Sequence, residues 1–467
     1  MEKTHTERLL NGEERRIVLE TCEVDGAGGT RFGVLLQSVE AVEYGMVACG
    51  ARTKIDSSAV ADGRTTWKIR AKSAASYATV VLTVSFILIA MLTGSQAAVK
   101  AQTWIVAPDG SPSGSGADAD NATSIQAALD RAQPGDVIRL QPGVYKPTKA
   151  LQTKRHGEAS LPITIKGPET GLDMSQRNKA VIVSGGHVLN IDHSYYVLQG
   201  FTINGQPNLP FTEIPTAPRE LLAYKDKNQS RVVDGRLIYV GNVARDVTGT
   251  VITDMFLTGA GGECIRMRNF TTNSKVTNSM IYRCGFVAQN KAYRYHNGEG
   301  VYIGTSPRST KQPYHKNDGS NNNLVQNNVI QTFASECVNI KENATDNVVD
   351  SNQCLYGLGT EAANESILEV RGKNNQITNN TIRHSWGYGI KLWSDTVSSG
   401  GANIVAGNHL SDIQSDVITV KRQAQPVEIC QNTDADGART AVGRISTAIG
   451  KSCSRAYPAG LNDEGPG

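Results

Sequence analysis

Six short segments of the chain place charged and aromatic side chains at equivalent positions. Each segment has five residues, and its second and fourth residues are apolar. In a β-strand these apolar side chains point to one face, so the third and fifth residues point to the opposite face. The copies are Cys264–Arg268, Gly300–Gly304, Cys337–Lys341, Ile367–Arg371, Gly389–Trp393 and Val417–Lys421.

Stacking of these strands would turn the outward residues into two exposed columns. The first column is Arg266, Tyr302, Asn339, Glu369, Lys391 and Thr419, and the second is Arg268, Gly304, Lys341, Arg371, Trp393 and Lys421. Like charges on neighbouring strands repel, so the cations of the second column predict an anionic partner. An extended acidic polysaccharide fits, because its anionic groups would meet the cations while a sugar ring stacks on Trp393. The alternative is an ordinary surface ladder whose bases are neutralised by Glu336, Glu342, Glu369 and Asp395.

A histidine lies ahead of one of these strands. His296 is three residues before Glu299 and could supply an acid or base near Tyr302. A single loop histidine is more often only solvated. The sequence has no Ser/His/Asp order, phosphate-binding loop or nucleotide fingerprint.

An eight-residue pattern, Asn-x-Val/Ile-x-x-Asn-x-Ile/Leu, indicates how the segments are stacked. Its second asparagines are Asn328, Asn352, Asn380 and Asn408. They are 24, 28 and 28 residues apart, and spacings of this size are typical of stacked repeats. The apolar residues alternate with period two, which predicts short strands in coils about 4.8 Å apart. Asparagine tolerates the left-handed backbone of a repeated bend, and its amide can bond to the amide of the next coil.

The two ends of the chain differ from this repeat. Residues 123–132 have apolar side chains at helical spacing after a polar cap, which predicts a short helix capping the open end of the solenoid. The uncharged run at 78–98 follows several basic residues and predicts a membrane-targeting helix, either a signal anchor or a cleaved signal peptide. Residues 1–77 are expected to be a disordered polar tail, 102–433 the repeat domain, and 434–467 a C-terminal tail.

Composition limits the classes of partner. The 467 residues carry a net charge of +3, so nothing global favours nucleic acid. Six of the eight cysteines follow the hydrophobic run, as expected outside the cytoplasm, and Cys430 with Cys453 is the expected disulfide. No Cys or His spacing indicates a metal site. Sequons that a glycosylating host could modify lie at Asn121, Asn228, Asn269, Asn343, Asn364 and Asn379.

Several runs of sequence carry a family resemblance. "SIQAALDRAQPGDVIRLQPGVY", "LPITIKGPE", "VIVSGG" and "YYVLQGFTING" resemble the N-terminal portion of right-handed parallel β-helix proteins of the pectate-lyase-like superfamily. Within it, the chain is most similar to chondroitinase B and related alginate lyases. The resemblance covers about residues 102–433. It implies an all-β, right-handed, single-stranded parallel β-helix with a short N-terminal capping helix.

The resemblance also implies a chemistry. Such lyases cleave uronic acid chains by β-elimination: a cation, often Ca²⁺, neutralises the carboxylate, and a Lys or Arg removes the C5 proton. "LEVRGKNN" places Arg371 at the catalytic arginine of the family. "ECVNIKENATDN" places Glu336 at the first of two calcium-binding glutamates, Val338 at the second and Asn343 at the lysine, so Lys341 lies two residues early.

From these positions we expect Lys341 to be the base, because the positive charge of Arg371 would lower its pKa. Arg371 would neutralise the carboxylate or donate a proton. Glu336 and Glu342 are the candidate calcium residues. Side chains expected to contact substrate are Arg266, Arg268, Tyr302, Asn339, Glu369, Lys391, Trp393, Lys421 and His296.

The sequence thus predicts a secreted or single-pass membrane protein, with its β-helix outside the cytoplasm, acting on acidic polysaccharide. A lyase is the first expectation. A non-catalytic carbohydrate-binding or adhesive solenoid and a uronate epimerase are the alternatives. We expect a monomer that contacts a membrane through residues 78–98 if that segment is retained, and no nucleic-acid partner.

Overall fold

A computed structural model describes most of the chain after residue 100 and five short segments before it. The described residues are 2–8, 14–21, 32–37, 55–59, 65–69, 101–209, 218–287, 298–307, 317–333, 336–355, 366–394, 400–421, 424, 426–435 and 452–454. The chain divides into two compact units, residues 1–99 and 100–467.

The first unit contains an antiparallel sheet where the sequence predicted a disordered tail. Its strands, in pairing order, are Glu2–Arg8, Glu14–Thr21, Phe32–Gln37, Thr65–Ile69 and Ile55–Ala59. The physical reason lies in runs such as 16–20 and 32–36, where β-branched and other large apolar residues favour extended backbone. The hydrophobic segment 78–98 lies outside the described residues, so its role stays a prediction.

The second unit is a stack of coils, each of which passes through three parallel sheets. Among the described residues the sheets contain eleven, ten and nine strands. Successive strands of one sheet come from successive coils, so residues with equal places in the repeat lie side by side. The stacked coils predicted from the asparagine spacing, and the parallel β-helix that the family resemblance implies, are confirmed.

The bounds of the strands follow the predicted repeats. The first sheet runs through Thr103–Ser111, Val137–Leu140, Ile163–Lys166, Tyr196–Gln199, Val251–Thr253, Lys275–Thr277, Leu324–Gln326, Val348–Asp350, Gln376–Thr378, Asn403–Ala406 and Val427–Cys430. The second runs through Gly143–Tyr145, Ala180–Val183, Thr202–Asn204, Phe256–Thr258, Met280–Cys284, Val329–Thr332, Gln353–Leu355, Thr381–Ser385, His409–Ile413 and Thr433–Asp434.

The third sheet carries the charged residues singled out from the sequence. It runs through Leu151–Gln152, Leu189–Ile191, Ile238–Val240, Ile265–Met267, Val301–Ile303, Val338–Ile340, Ser366–Val370, Tyr388–Leu392 and Ile418–Val420. A pair of two-residue strands, Val247–Thr248 and Thr271–Thr272, forms a separate parallel ladder.

The core fills the space enclosed by the three sheets. One apolar column of the first sheet is Val325, Val349, Ile377, Val405 and Ile429, and one of the second sheet is Ile281, Ile330, Cys354, Ile382 and Leu410. Most of these side chains are fully buried. Each buried aliphatic side chain contributes roughly 1.5–3 kcal/mol, so the stack is stabilised by repetition of small units.

The predicted asparagine ladder is confirmed on two edges of the first sheet. One column is Asn323, Asn347, Asn375 and Asn403, and the other is Asn328, Asn352, Asn380, Asn408 and Asn432. The backbone N–H and the Nδ2 of Asn352 both donate to Oδ1 of Asn380, and both donor–acceptor distances are 3.0 Å. The left-handed backbone falls one residue earlier than expected, at positions such as Ser351 and Asn379, both with φ of 54°.

Two helices lie outside the sheets. Ile125–Arg131 falls within the predicted helix and buries Ile125, Ala128 and Leu129, while its role as a cap stays a prediction. Pro218–Asn228 belongs to an insertion between the second and third sheets and is followed by a 3₁₀ turn, Gln229–Arg231; a further 3₁₀ turn is Met174–Gln176. Among the described residues, none of the helices has the length and apolar character that a bilayer crossing requires.

Three disulfides join neighbouring parts of the stack. Cys430–Cys453 is the predicted pair, with a Cα–Cα distance of 5.1 Å, and it fixes part of the C-terminal segment. Cys264–Cys284 and Cys337–Cys354 each connect the start of a third-sheet strand to a second-sheet strand of the following coil. These two bridges lie immediately before the strands that carry Arg266 and Asn339.

Candidate functional site

Backbone register brings the predicted columns together. In the third sheet the pairing runs through Arg266, Tyr302, Asn339, Glu369, Lys391 and Thr419 without a gap. Each residue of the second column lies just after the end of its strand. Its backbone N–H donates to a carbonyl of the preceding coil in Arg268, Lys341, Arg371, Trp393 and Lys421. Ahead of Arg266 the first column continues through uncharged residues, Gln152, Asn190 and Tyr239.

The columns are more deeply buried than the sequence predicted. Tyr302, Asn339 and Glu369 are at most 3% exposed, and Lys341 is 5% exposed. Lys421 is exposed, whereas Arg268, Arg371 and Trp393 are half-buried. The expectation of exposed columns was wrong for the whole first column and for Lys341, because long side chains on closely spaced coils pack against one another and form ion pairs. Lys421, the exposed member of the second column, is its last rung.

Glu369 is the centre of an ionic network. Its carboxylate accepts a hydrogen bond from Arg371 at 2.6 Å and lies 3.5 Å from Lys391 Nζ. Burial alone would raise the pKa of Glu369, but Arg371, Lys341 and Lys391 together lower it to about 2. Glu369 also lies 3.2 Å from the Nδ2 of Asn339. Part of the third sheet therefore matches the alternative in which glutamates of the chain itself neutralise the bases.

Tyr302 is enclosed by two cations. Arg266 and Lys341 each lie 4.7 Å from the centre of its ring. Contacts of this kind are stabilising because the face of an aromatic ring is electronegative. The phenol is thus held next to the predicted base.

The electrostatics of Lys341 contradict its predicted role. Burial, the largest influence, would lower its pKa, and the charge of Arg371 acts in the same direction. Tyr302, Glu369 and Glu299 outweigh both, so the pKa of Lys341 is raised. The prediction of a lowered pKa was wrong because it counted Arg371 alone. A lysine that keeps its proton is suited to neutralise an anion or to donate a proton.

Trp393 lies where two cations meet the surface. The Arg371 guanidinium is 4.1 Å, and Lys391 Nζ 4.7 Å, from the centre of its ring. Lys421 lies 5.7 Å from the ring of Tyr388 in the same sheet. This end of the site combines aromatic surface and positive charge, the two features that bind an anionic sugar.

Comparisons with known proteins agree with this architecture. The solved alginate lyase of Paenibacillus sp. strain FPU-7 superposes with a TM-score of 0.53 at 19% identity, over 73% of this chain and 98% of that one. The chain has a pectate-lyase-like parallel β-helix fold. A stretch of 72 residues is 39% identical to pectate lyase PEL9 of Emericella nidulans and spans 15% of this chain and 18% of that protein. No protein-family model matches the chain.

A third column of this β-helix was missed in the sequence. Glu263, Glu299 and Glu336 each lie two residues before an aligned core residue of the third sheet, so they stack in successive coils. Glu263 forms ion pairs with Arg236 at 2.8 Å and Arg266 at 2.9 Å. The sequence does indicate this column, since a glutamate immediately precedes three successive copies of the five-residue segment.

Glu342, one of the two glutamates predicted to bind calcium, is held by a cation of this site. Glu342 is buried, and its carboxylate lies 3.4 Å from Arg371 Nη1. Val338, at the second glutamate position of the family, points into the core. Among the described residues no group of three His, Cys, Asp or Glu side chains is arranged to hold a metal ion.

Two residues named from the sequence lie outside the described part of the chain. They are His296, the loop histidine, and Asp395, a candidate partner of the bases. Their roles stay predictions.

Proposed function

We propose that the third sheet of this β-helix binds an acidic polysaccharide and that the chain cleaves a glycan containing uronic acid by β-elimination. The observation that carries the proposal is the continuous stack of Tyr302, Lys341, Arg371 and Trp393, in which cations lie against aromatic rings in successive coils. The matched stretch of a pectate lyase supports a polysaccharide of this class.

The geometry suggests a division of roles that differs from the sequence prediction. In β-elimination the C5–H bond breaks, the C4–O4 bond breaks, and a double bond forms between C4 and C5. Arg371 would neutralise the uronate carboxylate, which stabilises the charge that develops when the C5 proton leaves. Tyr302, as its phenolate, would accept that proton and become the phenol, while Lys341, protonated because its pKa is raised, would donate one to O4, which leaves as a hydroxyl group.

We also propose that the β-helix works outside the cytoplasm, either secreted or tethered by residues 78–98. The three disulfides support this placement, because such bonds persist in oxidising compartments.

A binding protein without catalysis is the second candidate. It is favoured by the partners that Glu263, Glu342 and Glu369 provide for the cations. Such pairing holds side chains in place and would suit recognition as well as chemistry.

The test is incubation of the full chain with polygalacturonate, alginate, and chondroitin or dermatan sulfate. A lyase produces an unsaturated sugar that absorbs in the ultraviolet. We expect this absorbance to rise with at least one substrate, and Lys341→Ala and Arg371→Ala to lower the rate by about 10²- to 10⁴-fold. Lys373→Ala, which removes an exposed lysine outside the columns, is the matched control.

Three other outcomes distinguish the alternatives. Retention on an immobilised polyanion without absorbance would support a binding protein. Uptake of solvent deuterium at C5 without new chain ends would support an epimerase. Neither binding nor reaction with any of these polymers would rule out the proposed function.

A further inference from the structure

A strained turn follows the third-sheet strand that carries Arg266. Asn269 and Phe270 succeed one another with left-handed backbone, at φ of 58° and 59°. This conformation is unfavourable for residues other than glycine, and a bulky side chain is rarely found in it. Such strain persists only where the surrounding structure holds it, and it is concentrated at functional sites. The turn is therefore a place to look for a function.

Asp318 holds this turn. Its buried carboxylate accepts hydrogen bonds from the backbone N–H groups of Asn269, at 2.9 Å, and Phe270, at 2.8 Å. The hydroxyl of Thr305 also donates to it at 2.7 Å, and this hydroxyl in turn accepts a hydrogen bond from Arg268 Nε at 2.7 Å. One carboxylate thus fixes the backbone that carries the Phe270 ring and, through Thr305, the guanidinium of Arg268.

Arg268 is balanced differently from the other arginines of the columns. Arg266 and Arg371 each form an ion pair with a glutamate. Arg268 forms no ion pair with a carboxylate in the part of the chain that the structure describes, and its contact with Asp318 passes through Thr305. Burial and the charge of Arg266 lower the pKa of Arg268, as expected for a cation that the chain does not neutralise. An anionic ligand would supply the missing charge.

Phe270 lies at the surface where the chain leaves the third sheet, and it is 37% exposed. Val240 pairs with Met267 in neighbouring coils. Val243 and Phe270 lie three residues after these partners, so they hold equivalent places, and Val243 is 53% exposed. Two exposed apolar side chains in successive coils therefore form a small apolar surface that begins two residues from Arg268.

We propose that Phe270 and Arg268 form a further sugar-binding subsite, in which a sugar ring of the polyanion stacks on Phe270 while its carboxylate meets Arg268. The aromatic ring offers a rigid apolar face, and the guanidinium offers charged donors to a carboxylate. Arg268 lies two coils before Lys341 and four before Trp393, about 10 Å and about 19 Å away. The subsite would hold the end of a bound chain remote from Trp393, and it rests on the proposed function.

The experiment measures binding of the full chain to disaccharides and to long fragments of polygalacturonate, alginate, and chondroitin and dermatan sulfate. We expect Phe270→Ala to weaken the affinity for long fragments by about three- to tenfold, and Phe270→Trp to retain it. Affinity for disaccharides held at Trp393 should not change, because they are too short to reach Phe270. Leu172→Ala, which removes a similarly exposed apolar side chain between the first and second sheets, is the control and should bind like wild type.

A second variant separates binding from loss of structure. Phe270→Gly removes the same ring as Phe270→Ala, but glycine adopts left-handed backbone without strain, so this variant should melt at a higher temperature than Phe270→Ala. We expect the two variants to bind long fragments equally weakly. Affinities that rank with melting temperature would show that the ring acts on the fold, and this would overturn the subsite.

Failure of the subsite and failure of the proposed function give different results. If wild type binds long fragments and Phe270→Ala binds them as tightly as Leu172→Ala does, the subsite is wrong and the proposed function stands. If wild type binds none of the four polymers, both are wrong.

Discussion

The β-helix contains two kinds of side-chain column built by the same stacking of coils. In the asparagine ladder every rung has the same chemistry: Asn380 accepts hydrogen bonds from Asn352 and donates to Asn408 and to the Val349 carbonyl. An amide is both donor and acceptor, so identical rungs satisfy one another. The ladder uses its hydrogen-bonding capacity internally and has little left for a ligand.

The columns of the third sheet cannot be built from identical rungs. A lysine above a lysine repels it, so Tyr302, Asn339, Glu369 and Lys391 follow one another with different chemistry. Cations there are paired with glutamates or lie against rings. The same repeated backbone therefore has two uses. Where identical side chains can bond to one another, as in the asparagine ladder, it gives stability; where they cannot, as in the third sheet, it gives a surface suited to binding.

The largest expected effect comes from removing the acid at the centre of the ionic network. Glu369→Gln leaves Arg371 and Lys391 without their shared carboxylate, and we expect the free energy of unfolding to fall by about 3–5 kcal/mol. Affinity for a polyanion should rise, because the ligand then supplies the missing charge. Chemical denaturation and polygalacturonate binding measure the two effects. Equal losses of stability and affinity would contradict a shared role for these cations.

The same carboxylate gives an acid-dependent effect. The pKa of Glu369 is lowered to about 2, so it contributes stability that is complete above the ordinary glutamate pKa and is lost as pH falls through that range toward 2. We expect wild type to lose about 3 kcal/mol more than Glu369→Gln over this interval. Urea unfolding at a series of acidic pH values measures the difference. Parallel curves would show that Glu369 is not strongly stabilised in its charged form.

A rung of the amide ladder should affect stability without affecting binding. Asn380→Ala removes hydrogen bonds with both neighbouring coils, and we expect a loss of about 2–3 kcal/mol in the free energy of unfolding. Gln353→Ala, at an exposed amide in the adjacent strand, should change it by less than about 0.5 kcal/mol. Polyanion affinity measured on the folded variants should equal that of wild type. A weaker affinity for Asn380→Ala would mean that the two columns are coupled.

The contrast also explains what the sequence could predict. The asparagine spacing determines which residues stack, so the register of Tyr302, Asn339 and Glu369 was predictable once the coils were counted. The amide ladder was predictable because each rung contacts another copy of itself. Both predictions depend only on the repeat.

The predictions that were wrong concern contacts between residues of different type. The pKa of Lys341 depends on Tyr302 and Glu299 from the preceding coil and on Glu369 from the following coil. The burial of the first column depends on how its side chains pair, not on the alternation of apolar residues. Glu342, predicted to bind calcium, is another such case, since its carboxylate is held by Arg371. Charge and burial of a site on a repeat scaffold therefore require the identities of all neighbouring rungs.

The smallest expected effect lies at the exposed end of the site. Lys421→Ala removes a cation whose Nζ lies 5.7 Å from the Tyr388 ring, and exposed charges contribute little to folding, so stability should change by less than about 0.5 kcal/mol. Polyanion affinity should weaken by about two- to fivefold, with a shallower dependence on salt. Lys373→Ala is the matched control, because it removes an equally exposed lysine outside the columns. An equal loss in both variants, measured on immobilised polygalacturonate at two salt concentrations, would mean that the polymer responds to overall charge and not to an aligned column of cations.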